Sequence, residues 1–311
     1  MGLRLSTHHE PVLLEEVLAF LLTGPGLYLD ATLGDGGHAE ALLEREPGSR
    51  LLGNDRDLDA LAVAGERLRR FGDRVTLSHG TLAELHESWE RMGQEPLAGA
   101  LLDLGLSSRQ IDDAGRGISY RLDGPLDLRL DRSRDLPAHE RLRHADAGEI
   151  EHALRAYGDL AGARRLGRAI VDAARRGELP TTRALATLAD RVLGGRPTPR
   201  RTAQVFQALR MWVNGEAEDL DAALRWLPTA LRAGGTVVTL AYHSGEDRRI
   251  KQALRGKGAT TPRRLPEPAP GLHEGPWVEL TRKVVRPAAE ERTTNPRARS
   301  AKLRAFRRRP E

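Results

Sequence analysis

Three acids and a cluster of glycines carry the first chemical signal in this sequence. Asp30 closes a short apolar run, and Gly34, Gly36, Gly37 and His38 follow it. Glycines at that density let the backbone take positive φ and approach a ligand where a Cβ would clash. A helical pattern, Ala39 to Arg45, comes next, so free N–H groups and a positive dipole end face the same turn. Asp55 and Asp57 end a second apolar run, and Asp103 ends a third. An acid about 20 residues after a glycine turn commonly accepts hydrogen bonds from ribose hydroxyls. Aspartate is also a favoured helix N-cap, so Asp55 and Asp57 have two open roles. The co-occurrence of turn and acid favours the ribose role. The chemistry implied is a nucleotide-type ligand held by backbone and carboxylates.

Two ligand classes suit this pattern. A dinucleotide site favours Gly-x-Gly-x-x-Gly, with the third glycine inside the helix. Here the glycines bunch early, and none occurs two or three places beyond His38. S-adenosylmethionine has no pyrophosphate to cradle, and its sulfonium and amino groups favour carboxylates such as Asp30 and Asp103. The spacing therefore favours a methyl donor. The chain has no cysteine, which excludes disulfides, thiolate metal sites and a thiolate nucleophile. Its ten histidines fall in no spacing with carboxylates that reads as a metal site.

The elements that must position these residues alternate. Val12, Leu13, Val17, Leu18 and Leu21 fall near helical spacing, and Gly24-Pro-Gly26 ends that helix. Strands are expected at Leu27 to Leu33, Arg50 to Asp55, Arg74 to Ser78 and Leu97 to Asp103, with helices at Leu58 to Arg70 and Leu82 to Met92. Three strands ending in acids place carboxylates along one sheet edge, where open α/β sheets bind ligands. From about Gln110 to Asn214 only turns and helices are expected, the helices at Ala147 to Ala156, Gly162 to Arg176, Thr182 to Leu193 and Ala203 to Val213. That is the signature of an inserted helical domain. A helix over Ala217 to Arg232, a buried strand Thr236 to Tyr242, a helix ending at Leu254, a loop over 256–276 and an antiparallel strand Trp277 to Val285 follow. The expected division is 1–109 and 215–291 for the sheet domain, 110–214 for the insertion and 292–311 for a basic tail.

Hydrophobic content of 39% over 311 residues suffices for a packed core. No apolar run approaches the roughly 20 residues a membrane span needs, and the first residues lack the apolar region of a signal peptide. A cytoplasmic protein is expected. Eight basic residues between Arg292 and Arg309 stand against no acid, so removing them from a net charge of +5 leaves −3. Such a run reads as a solvated tail able to meet nucleic acid.

Longer segments bear a resemblance. They include His9-Glu-Pro-Val-Leu-Leu14, Asp30-Ala-Thr-Leu-Gly-Asp-Gly-Gly-His38, Asn54-Asp-Arg-Asp57, Leu102-Asp-Leu-Gly-Leu-Ser-Ser108 and Arg116-Gly-Ile-Ser-Tyr120. Further along come Asp123-Gly-Pro-Leu-Asp-Leu-Arg129, Phe206-Gln-Ala-Leu-Arg210, Val213-Asn214, His243-Ser-Gly-Glu-Asp-Arg248 and Asn295-Pro-Arg-Ala-Arg-Ser-Ala-Lys-Leu-Arg304. In this order, over nearly the whole chain, the sequence resembles the ribosomal RNA small subunit methyltransferase H family, also called MraW. The resemblance implies an α/β fold: a class I, Rossmann-like S-adenosylmethionine-dependent methyltransferase sheet of seven strands with a helical domain inserted after the fourth. It implies donor contacts at Gly36, Gly37, His38, Asp55, Asp103 and Gln110. The family's aromatic donor contact falls at Leu82, which keeps an apolar surface but loses ring stacking. Other departures are Arg201-Thr-Ala203 where the family has His-Pro-Ala, Gly245 where it has Leu, and Leu128-Arg-Leu130 where it has Met-Arg-Met.

The implied reaction is methylation of the exocyclic N4 of a cytidine in the decoding region of 16S rRNA, within a small ribosomal subunit or its precursor, by a monomer or homodimer. The amino nitrogen is a weak nucleophile that needs alignment and a hydrogen-bond acceptor, not a covalent intermediate. Asp103, or the hydroxyl of Ser107 or Ser108, is the expected acceptor, and Asp103 has the equal alternative of only holding the donor. His243 reads as a turn residue. Arg297, Arg299 and Arg304 of the tail, and Arg164, Arg165, Arg168, Arg175 and Arg176 of the insertion, are candidates for phosphate contacts. A solvated helix face is the competing reading for the insertion's arginines. The alternatives are transfer to another amine, on DNA adenine or protein, and a donor-binding assembly factor with little turnover.

Overall fold

The computed structural model describes residues 11–134, 136–255 and 275–310. Most of the loop expected over 256–276, and His9 and Glu10 of the first motif, lie outside them. The chain divides into two compact units, Met1–Gly105 with Glu218–Glu311, and Leu106–Ala217.

The first unit is built on one sheet of seven strands: β1 (Leu27–Asp30), β2 (Arg50–Asp55), β3 (Val75–His79), β4 (Leu97–Asp103), β5 (Leu231–Ala241), β6 (Trp277–Glu279) and β7 (Lys302–Arg308). Their order is β3-β2-β1-β4-β5-β7-β6. The first five are parallel, and β7 runs antiparallel to both β5 and β6. The two sheet faces are covered by separate apolar clusters. One gathers Val17, Leu21, Tyr28, Leu42, Leu51, Val238 and Leu303. The other gathers Leu29, Leu52, Ala100, Leu224, Leu227, Val237 and Phe306. Burial on both faces is why β1 and β4 read as continuous apolar runs rather than alternating ones.

The C-terminal segment is the largest departure from expectation. Residues 302–308 form β7, an interior strand, and not a solvated tail. Leu303, Ala305 and Phe306 are fully buried. The basic residues that hid the strand are handled individually. Arg304 is 7% exposed, and its guanidinium meets Asp247 at 2.6 Å and Glu279 at 3.3 Å. β5 begins at Leu231, five residues earlier than expected, because the helix Glu216–Ala230 runs straight into it. β6 stops at Glu279, and Val285 keeps only an isolated bridge to Leu303.

The second unit is helical, with no strand among its described residues. Helices Ala138–His144, Ala147–Ala156, Ala163–Arg175, Thr182–Leu193 and Pro199–Asn214 enclose a core of Leu126, Leu142, Ile150, Leu166, Ile170, Leu185, Val205 and Leu209. Thr181 caps the fourth of these helices by accepting from Ala184 N at 3.2 Å. Two glycines of the quoted motifs allow one crossing of backbone on backbone. A Cβ on Gly117, at φ +62°, would fall 2.0 Å from the Pro125 carbonyl oxygen, and one on Gly124 would fall 1.9 Å from that of Ala114. Asn214 then ties this loop to the last helix, donating to Leu128 O at 2.8 Å and accepting from Leu130 N at 2.8 Å.

Two outcomes follow. Gly124→Ala forces backbone apart at a site with no flexible neighbour, and should lower unfolding free energy by about 3 kcal/mol or more in denaturant titration. A chain ending at Ser300 loses the strand between β5 and β6, and should lose the cooperative unfolding transition of the sheet unit, read by circular dichroism against temperature.

Candidate active site

The expected carboxylates meet at the carboxyl ends of β1, β2 and β4. Local hydrogen bonds fix them there. Asp30 accepts from Thr32 N at 3.3 Å, while Thr32 Oγ1 accepts from Asp103 N at 2.7 Å, which ties the end of β1 to the end of β4. Asp55 accepts from Gly34 N at 2.7 Å and Asp57 N at 2.8 Å. Asp57, not Asp55, caps the next helix, through Asp59 N at 3.1 Å. That division of labour leaves Asp55 facing the glycine turn. The buried Asn54 amide donates to Gly80 O at 3.0 Å and Ala31 O at 3.3 Å, joining the segments that leave β1 and β3.

The glycine turn enters the helix Gly37–Arg45 through Gly36, whose φ is +80°. A Cβ on Gly37 would lie 2.6 Å from Pro11 Cγ. The turn thus needs glycine both for its dihedral angles and for its close packing.

His38 and Tyr242 flank Asp103. The His38 Nε2–H donates to Val12 O at 3.0 Å, which leaves Nδ1 directed at Asp103 Oδ2, 3.7 Å away. Tyr242 donates its hydroxyl to Asp103 Oδ1 at 2.9 Å. Beyond it, Glu246 accepts from the N–H groups of Tyr242 (2.8 Å) and His243 (3.2 Å). His243 Nδ1 accepts from Gly245 N and caps the helix Ser244–Arg255, so it is a turn residue, as the sequence suggested.

Burial governs the charges. Asp30 is 3% exposed, and desolvation pushes its carboxyl up to about 8, with the neighbouring Asp103 and Asp55 adding to the rise. Desolvation likewise raises Asp103 to about 7 against the lowering effect of the Tyr242 hydroxyl. It lowers His38 to about 4. The site therefore holds two carboxyl groups that carry protons near neutrality, beside a neutral imidazole. Among the described residues, no Lys or Arg pairs with Asp30 or Asp103.

The other expected site residues divide. Leu82 opens a short 3-10 turn after β3 and is half-buried against the second apolar cluster. Ser107 and Gln110 lie in the helical unit and form a capping box: Gln110 N donates to Ser107 Oγ at 3.2 Å, and Ser107 N to Gln110 Oε1 at 3.0 Å. Both are thus occupied in starting the helix Ser108–Asp112. Arg304, expected to reach phosphate, is committed to Asp247 and Glu279 inside the sheet. Arg297 and Arg299 sit in the turn Pro296–Ser300 before β7, Arg299 exposed and Arg297 half-buried. Arg175 and Arg176 are engaged as well, with Ala145 O and Glu178. Sequence reasoning missed the part of Tyr242, which is 139 residues from the carboxyl it orients.

A glycine turn after β1, acids closing β1, β2 and β4, and a seven-stranded sheet in which β7 alone is reversed together define the class I methyltransferase fold. Within that class the chain belongs to the MraW methylase family, whose model matches residues 6–309. It is 43% identical over 307 residues to the ribosomal RNA small subunit methyltransferase H of Sorangium cellulosum, covering 96% of this chain and 90% of that protein. It is 41% identical over 314 residues to the enzyme of the same name from Streptomyces avermitilis, covering 97% of each. Among the described residues no helix is long and apolar enough to cross a membrane.

The raised carboxyls give a signed pH dependence. The unfolded chain ionises Asp30 near 3.8, whereas the folded site keeps it protonated up to about 8. Its contribution to stability is complete below the lower value and is lost as pH rises through the upper one. Stability of the wild type relative to Asp30→Asn should therefore fall between about pH 5 and 8, by at most about 1.4 kcal/mol per pH unit, in paired denaturant titrations. Tyr242→Phe deprives Asp103 Oδ1 of its donor and should cost about 1–2 kcal/mol of stability in the same measurement.

Proposed function

We propose that this chain transfers a methyl group from S-adenosylmethionine to the exocyclic N4 of a cytidine in the decoding region of 16S rRNA. The observation that carries this reading is a pair of carboxyls, the buried Asp30 and the half-buried Asp103, lacking a Lys or Arg partner among the described residues beside a glycine cradle. Such a site has an unmet demand for positive charge, which a ligand with sulfonium and ammonium groups meets. The names of the relatives supply the RNA.

In this reading, the backbone at Gly36 and Gly37, with His38, receives the methionine end of the donor. Asp55 accepts from the ribose hydroxyls, Leu82 offers an apolar surface to the adenine, and Gln110 contributes from the helical unit as the family resemblance implies. S-adenosylmethionine held here would supply the methyl group in activated sulfonium form, with a neutral thioether as the leaving group. Asp103 is the acceptor of choice for the cytidine amino group. Its Oδ1 is fixed by Tyr242, and a carboxyl near 7 can take the proton that the nitrogen loses on alkylation. Ser107 is the weaker candidate because its hydroxyl already serves the helix cap. The cytidine must be unstacked to reach the carboxyl edge. The helical unit is assigned to substrate recognition, and the protein to the cytoplasm, on small subunits or their precursors, as a monomer or homodimer.

Nucleoside analysis of small-subunit RNA from cells with and without the protein should show N4-methylcytidine lost with it; an unchanged nucleoside, with a methylated DNA base or protein lost instead, would assign another amine. No lost modification of any kind would favour an assembly factor. Asp103→Asn should slow transfer by about 100-fold or more while donor is still bound. A variant that binds donor and transfers at the wild-type rate removes Asp103 from the chemical step. Donor binding should also release protons near pH 7, because a cationic ligand favours ionised Asp30 and Asp103. Calorimetry in buffers of different ionisation enthalpy reads that release, which should be smaller for the neutral-sulfur product.

A further inference from the structure

The chain's net charge of +5 lies wholly in Leu106–Ala217. That unit has twenty arginines, no lysine and fifteen acids, and the remainder has 29 of each sign. Most of the unit's arginines with a described partner are spent on structure: Arg129 on Asp127, Arg155 on Glu151, Arg176 on Glu178 and Arg210 on Glu216. Arg164, Arg165, Arg168 and Arg200 are different and, unlike the equally exposed Arg143 and Arg196, gather around two surface depressions. All four are exposed, and none has an ion-pair or hydrogen-bond partner among the described residues.

These four line two depressions on either side of the start of the helix Ala163–Arg175. One, of about 360 Å³, is walled by Ala147, Gly148, Glu151, Arg164 and Arg168. The other, of about 550 Å³, includes Asp159, Arg165, Thr198, Arg200 and Arg201. Arg201 is committed to Gly194 O at 2.7 Å and Asp190 at 3.6 Å. Glu151 is paired with Arg155. Asp159 remains as an acid facing the second depression, outnumbered by Arg165 and Arg200.

The placement works against local stability. Helix Ala147–Ala156, in the same unit, begins in the favoured way, with Asp146 as cap and Glu149 completing a capping box. Helix Ala163–Arg175 begins at Gly162 with no side-chain cap and no acid in its first turn. Helix Pro199–Asn214 also has no acid in its first turn. Cations near a helix N-terminus oppose the dipole, and neither helix places an acid in its first turn to offset them. A surface that keeps such arginines exposed is suited to an external anion.

We propose that Arg164, Arg165, Arg168 and Arg200 form a surface that grips the phosphodiester backbone of the RNA substrate. The inference rests on the RNA reading above and adds where the backbone is held. Guanidinium forks match phosphate oxygens in pairs, which suits a unit that uses arginine and no lysine. Such pairs read no sequence; they set affinity and position.

The test is binding of 16S rRNA, naked and in assembled small subunits, to full-length protein across a salt series. The wild type should lose affinity steeply with salt. A variant with all four arginines changed to Gln should bind naked RNA at least 10-fold more weakly at 0.1 M salt. Its log–log salt slope should be shallower by about 2–3, at roughly 0.7 for each single-strand phosphate that the variant no longer neutralises. Its thermal midpoint should be equal to or above that of the wild type, which separates weaker binding from unfolding. The four-Lys variant should recover most of the slope, and Arg176→Gln should leave it unchanged. An unchanged slope in the Gln variant overturns the surface while leaving the RNA reading intact. Weakened binding to subunits with unchanged binding to naked RNA overturns it in favour of a protein partner. A wild type with no salt-dependent RNA binding overturns the RNA reading and the surface with it.

Discussion

Desolvation of two carboxyl groups is the constraint around which the sheet unit is arranged. Asp30 and Asp103 stand at the ends of adjacent parallel strands, where the fold buries the first, leaves the second half-buried, and pairs neither with a Lys or Arg among the described residues. Burying an unpaired ionised carboxylate is costly enough that the group keeps its proton instead. Much nearby architecture manages that cost. Thr32 joins the two strand ends, Tyr242 supplies a hydroxyl to Asp103, and Glu246 holds the backbone that carries Tyr242. His38 stays neutral because burial disfavours the imidazolium, against the raising effect of its Nε2–H bond to Val12. A site so organised is tuned for a cationic guest, and its shortage of positive charge is a structural property before it is a functional one.

The fold was legible where local composition and tertiary role coincide. β2 and β4 are apolar runs closed by acids, and their observed limits match the sequence reading because burial on both faces writes a continuous signal. The helical insertion was legible because strand patterns stop after Asp103. β7 was not. Its basic residues dominate the local composition, and the acids that neutralise Arg304 lie 57 and 25 residues away in sequence. No window of chain contains that compensation. The site shows the same limit. The glycine turn and the three aspartates announce themselves locally. The Tyr242 hydroxyl reaches Asp103 through strand pairing between β4 and β5, which periodicity cannot express.

Charge tells a related story. Counted along the sequence, the positive excess falls in the C-terminal segment. Counted by compact unit, it belongs to the helical insertion, and the sheet unit is neutral. The difference is a matter of which acids fold beside which bases. Arg304 and Lys251 share Asp247, and Arg255 shares Glu279 with Arg304. A linear tally separates charges that the fold joins.

The position of β7 also has a consequence for the order of events during synthesis. Residues 106–217 are continuous in the chain and have their own core, so this unit can fold as soon as it emerges. The sheet cannot. Its interior strand between β5 and β6 is the last in sequence of the seven described strands, and until it arrives β5 presents an open apolar edge. The carboxyl edge bearing Asp103 and Tyr242 is therefore stabilised only once residues 302–308 have been made. An incomplete chain would hold a folded insertion on an unfinished sheet, a state that exposes apolar surface to chaperones and proteases.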